Sequence, residues 1–101
     1  MKFKATHLNV ITEVGDKGSR SLIVHVELDD DSSIEGGEAL SVAIQETDDL
    51  DLLNDQTKFT MYIKHFDQKE VIDRIQTLID ASGATSWQEL RNYLTQYFRW
   101  I

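Results

Sequence analysis

The hydrophobic period of this chain changes once, at Phe66, and that single change constrains the fold more than any other feature. Ahead of it, Leu22, Val24, Val26 and Leu28 alternate with Ser21, Ile23, His25 and Glu27, which is the period of a half-buried strand. Beyond it, Val71, Ile72, Ile75, Leu78 and Ile79 recur at helical spacing. Strands followed by helices predict an α+β fold, an antiparallel sheet of about four strands with two C-terminal helices packed on one face. A chain of 101 residues, 41% of them hydrophobic and with no proline boundary, is expected to be a single domain over 1–101 with one core.

The strands are expected at residues 3–14, 20–28, 39–45 and 57–66, a short helix being the rival reading of the third. Between the first two lies Gly15-Asp16-Lys17-Gly18. A three-residue loop ending on a left-handed Gly18 sets Val14 opposite Arg20, Thr12 opposite Leu22, Val10 opposite Val24 and Leu8 opposite Val26, so both apolar rows share one face. Asn9 then faces His25, and His7 faces Glu27. Phe3 and Ala5 have the wrong parity for that register, which requires either a bulge near Thr6 and His7 or a partly covered outer face. Leu50, Leu52 and Leu53 suggest one helical turn tucked against the core. Asp67 with Glu70, and Ser86 with Glu89, are spaced as the starts of two helices, and Ser82-Gly83 as the stop of the first. Trp87, Leu90, Leu94, Phe98 and Ile101 form the stripe of the second helix. Tyr93 and Trp100, at the edge of its apolar arc, are candidate contact residues.

Charge is the main lead to function. Ten Lys and Arg stand against eighteen Asp and Glu, giving a net charge of −8, which disfavours direct nucleic-acid or membrane contact through a general field. Between Arg20 and Lys58 there is no Lys or Arg, but eleven acids: Glu27, Asp29, Asp30, Asp31, Glu35, Glu38, Glu46, Asp48, Asp49, Asp51 and Asp55. All of these except Glu27 are candidate partner-binding residues on an acidic face made for a basic protein.

Chemistry finds less support. The absence of Cys removes disulfide frameworks, thiolate metal sites and cysteine nucleophiles. A calcium loop starting at Asp29 places Ile34 where the turn needs Gly and Leu40 where a bidentate Glu belongs. There is no nucleophile elbow, and Gly15 to Ser19 lacks phosphate-loop spacing. Hence no catalytic residue, metal or cofactor is expected. No apolar segment follows Met1 to His7 and no run of eighteen apolar residues occurs, so a soluble cytoplasmic protein is the expectation.

In size, acidity and lack of catalytic motifs the chain is similar in type to small phage-encoded inhibitors of host defence, anti-CRISPR and DNA-mimic proteins among them. No residue motif carries that likeness, so it transfers no site. It implies a non-enzymatic inhibitor of a host defence effector, nuclease or toxin, with a toxin-neutralising immunity protein as a close second. A phage or other assembly protein that oligomerises through the aromatic helix is the alternative from a different class, and a homodimer is compatible with either.

Overall fold

A computed structural model describes residues 2–31, 37–54 and 59–101. It is α+β, a five-stranded mixed sheet with three helices. The strands are β1 (Phe3–Val14), β2 (Ser21–Asp30), β3 (Glu38–Glu46), β4 (Thr60–Ile63) and β5 (Arg99–Trp100). The helices are α1 (Leu50–Leu53), α2 (Gln68–Ser82) and α3 (Trp87–Leu94).

The middle of the first hairpin has the expected register, with His7, Leu8, Asn9 and Val10 opposite Glu27, Val26, His25 and Val24. The bulge allowed at Thr6 is present, and it rotates Phe3 back to the core, where it is 5% exposed. A second bulge at Ile11 was not expected. It moves Thr12 opposite Ile23 and Val14 opposite Ser21, so the connection runs over Gly15 to Arg20 instead of three residues. Gly18 does take positive φ, at 95°, and so does Gly15, at 99°, while the Ser19 N–H closes the turn on the Asp16 carbonyl at 2.9 Å.

The sheet is not wholly antiparallel, which corrects the expected topology. Glu38–Glu46 is a strand as read, antiparallel to β2, but β4 lies parallel to it. Thirteen residues, 47–59, separate the two strands in sequence, which meets the dozen or more that a parallel pair requires. β4 is shorter than the expected 57–66; residues 57 and 58 lie outside the described residues, and Phe59 sits in a turn at φ 68°. Its α1 neighbour is only partly tucked in, since Leu50 is 72% exposed and Leu52 and Leu53 are half-buried.

Both expected helix starts are present. The Asp67 side chain accepts from the Lys69 N–H, the Ser86 hydroxyl accepts from the Glu89 N–H, and Gly83 ends α2 in the left-handed region. The last helix, however, stops at Leu94 instead of running to Ile101. β4 pairs with β3 only from Ala43 onward, which leaves the edge at Leu40 and Ser41 without a partner. The chain therefore leaves the helix, and Trp100 and Arg99 take that edge as β5. Phe98 stays in the core at 4% exposure, whereas Ile101 is 64% exposed.

The inward rows of β2 and β3 join Val71, Ile75 and Ile79 of α2 and Leu90 and Leu94 of α3 in one apolar cluster. Among the described residues no helix is long and apolar enough to cross a membrane.

Candidate functional site

β3 sorts the predicted acidic residues, because it carries one acidic loop at each of its ends. Eight steps of a strand at about 3.3 Å put Glu38 and Glu46 about 26 Å apart. The acidic window is thus two regions at opposite ends of the sheet. Glu35 and Asp55 lie outside the described residues.

At the Glu38 end the acids are largely committed. Glu38 forms an ion pair with Arg91. Asp30 is half-buried and accepts from the Trp87 indole N–H at 2.7 Å, and that indole stacks edge-on to Phe3 with centroids 4.7 Å apart. Asp29 is half-buried, accepts from the Thr6 hydroxyl at 3.3 Å and stands opposite Lys4. Asp31 is exposed, with its N–H donated to the Lys2 carbonyl at 3.0 Å.

At the other end, Asp48, Asp49 and Asp51 are all exposed. Asp49 caps the one-turn helix α1, accepting from the Asp51 N–H at 2.9 Å. The tip of the β1–β2 hairpin, with Asp16, is at this end too, because Ser21 pairs with Gln45.

Glu46 does not belong to any acidic surface. Its side chain is fully buried and receives five donors: the Gly18 and Arg20 N–H groups at 3.0 Å, Arg20 Nε and Nη2 at 2.8 Å, and the Phe66 N–H at 2.7 Å. Arg20 also reaches Glu13 at 2.7 Å and lies over the Phe66 ring, 5.9 Å from its centroid. The Arg20 guanidinium, aided by the backbone donors, holds the Glu46 carboxyl well below the usual carboxylate range against the cost of burial. The same bond to Glu46 raises the Arg20 pKa. The cluster ties the hairpin loop, the end of β3 and the entry to α2 together. Its signal was present in the sequence, since Glu46 has the parity of Leu40, Val42 and Ile44, and Arg20 that of Leu22 and Val24.

The aromatic candidates are less exposed than their position suggested. Tyr93 is half-buried beside Tyr97, at 5.9 Å between ring centroids, and desolvation and then Tyr97 push its hydroxyl pKa up. Trp100 is half-buried, packs against the core and donates its indole N–H to the Arg91 carbonyl at 3.4 Å. His7 and Glu27 meet at 3.6 Å as the register required, but among the described residues no three metal-ligating groups converge.

Composition alone missed an apolar patch on the distal half of the first hairpin. Val10, Ile11 and Val14 are 42%, 53% and 63% exposed, and Ile23 is 37% exposed. The Ile11 bulge contributes by moving Val14 opposite Ser21 and so off the row of Leu22 and Val24, whereas Ile11 and Ile23 face outward by the alternation itself.

The chain matches no protein-family model, and no curated protein or solved structure is significantly similar to it.

Proposed function

We propose that this protein is a small non-enzymatic binding protein that inhibits or regulates a basic protein by presenting carboxylates to its cationic site. The observation that carries the reading is the set of exposed acids Asp48, Asp49 and Asp51 just past the end of β3, of which Asp49 is engaged only as the cap of α1, at the same end of the sheet as Asp16 on the hairpin tip. Such a surface supplies a negative field that steers a cationic partner before contact. A nucleic-acid-binding groove fits the same chemistry, the carboxylates standing where phosphates bind; a host defence effector, a nuclease or a toxin are partners of that kind, in the cytoplasm.

The test compares immobilised parent protein with two triple variants, Asp48, Asp49 and Asp51 to Asn, and Asp29, Asp30 and Asp31 to Asn. At low ionic strength the parent retains a basic protein from a host lysate that salt releases. The first triple variant binds it about tenfold or more weakly, mostly through a slower on-rate, and the second is affected less because Asp29 and Asp30 are already engaged. Equal retention by parent and both variants leaves these acids as solubilising charge only and sinks the proposal.

A further inference from the structure

The sheet has a second face, turned away from the apolar cluster. Leu22, Val24, Val26 and Leu28 of β2 and Leu40, Val42 and Ile44 of β3 are buried, so Ile23, His25 and Glu27 and Ala39, Ser41 and Ala43 point the other way. The register carries one polar row across four strands of that face, with Asn9 opposite His25, His25 opposite Ser41 and Ser41 opposite Arg99. Among the described residues none of these four side chains has a hydrogen-bond or acid partner, and Arg99 lies over the Phe59 ring, 5.3 Å from its centroid. The row also carries no carboxylate, in a chain of net charge −8. The acids that follow on the same face of β2 are Glu27, 3.6 Å from His7, and Asp29, which accepts from the Thr6 hydroxyl.

We infer that this row binds a phosphate monoester, with the phosphate over Ser41 between His25 and Arg99. Adjacent strands stand about 4.8 Å apart, so His25 and Arg99 rise about 10 Å from each other on either side of the short Ser41 side chain, leaving room for one tetrahedral oxyanion. Charge and hydrogen bonding select the occupant. Guanidinium, hydroxyl and imidazole N–H all donate, so the row is complementary to a group that only accepts, and a phosphate turns one oxygen to each of the three. A cation finds no acid there. Ile23 and Phe59, exposed beside the row, seat the carbon part of the ester. The exposed acids past Glu46 begin about 17 Å along β3 from Ser41, beyond the Debye length of about 8 Å at physiological salt, so their field does not repel the ligand. The inference stands apart from the proposed function, which concerns those acids.

Phenyl phosphate is the probe, followed through the amide and side-chain resonances of isotope-labelled protein at about 150 mM salt. Resonances of His25, Ser41 and Arg99 shift together and saturate with a Kd of about 1 mM or below, while phenol and inorganic phosphate each bind at least about tenfold more weakly. Arg99→Gln weakens phenyl phosphate at least about tenfold and Ser41→Ala about threefold or more, with the thermal unfolding of the free protein unchanged. Lys64→Gln, a cation off the row, leaves the affinity as it was. Three results overturn the inference: no saturable shift at the row, phenol bound as tightly as phenyl phosphate, or full affinity in Arg99→Gln. Should Arg99→Gln prove unstable, Ser41→Ala decides, and parental affinity in that variant overturns it equally. Shifts confined to Lys2 and Lys4 assign the anion to a lysine surface instead.

Discussion

Glu38 and Glu46 open and close the same strand, and they differ in almost every physical respect. Glu38 sits in a half-exposed pair with Arg91, one donor to one acid, where water competes for both. Glu46 is closed off from solvent and saturated by backbone and guanidinium donors from two other segments, the hairpin loop and the entry to α2. One glutamate is a surface charge that happens to have a partner, and the other is a structural joint. Their neighbours are reversed: Asp30 and Asp29 near Glu38 are held by Trp87 and Thr6, while past Glu46 the exposed Asp48, Asp49 and Asp51 are engaged by nothing beyond the local cap that Asp49 makes on α1. Negative charge on a sequence is therefore a poor guide to negative charge offered to a partner.

The largest expected effect tests that contrast at its strong end. Glu46→Ala leaves Arg20 and three backbone N–H groups without their acceptor, and urea unfolding should show a loss of about 3–5 kcal/mol. A loss under about 1 kcal/mol contradicts the joint.

Acid provides the second test. Because the folded pKa of Glu46 is depressed, the unfolded chain binds the extra proton first. Its contribution is intact above the unfolded pKa of about 4.3 and is lost as pH falls toward the folded value. Stability of the parent should decline below about pH 4.5, and that of Glu46→Gln should decline less steeply. Parallel pH profiles for the two proteins point to other carboxylates as the source of acid sensitivity.

The half-buried Asp30 gives an intermediate case. Trp87→Phe keeps the ring against Phe3 but removes the indole donor, with an expected cost of about 1–2 kcal/mol by thermal melting. Glu38→Gln is the smallest perturbation, worth about 0–1 kcal/mol and vanishing in high salt. Should Glu38→Gln match Glu46→Ala, the distinction between the two ends of β3 collapses.

Local rules carried much of the fold. Asp67, Ser86 and Gly83 mark helix ends that depend on a few neighbouring atoms, and these were readable without the rest of the chain. The alternation in β2 likewise fixed its register with β1 over His7 to Val10. What escaped was non-local. A bulge at Ile11 costs the alternation only one residue, and nothing in a list of apolar positions distinguishes it from an outward-facing isoleucine. The direction of β4 depends on the path of residues 47–59, whose length allows a crossover without demanding one. β5 exists because β3 has an unfilled edge, a need set about sixty residues earlier in the chain. Of the candidate site, the excess of acids was plain, but their division between two ends and the burial of Glu46 follow from how β3 is placed.

That late filling of β3 has a bearing on synthesis. Leu40 and Ser41 leave the ribosome long before Arg99 and Trp100, and at about 5–20 residues per second the interval is about 3–12 s. Throughout it the nascent hairpin, with β3 added, has a sticky flank that stays open until Arg99 and Trp100 arrive. Chaperone demand should be concentrated in that interval, and a ribosome stalled between α3 and β5 would hold a nearly finished sheet that is still able to capture another nascent chain.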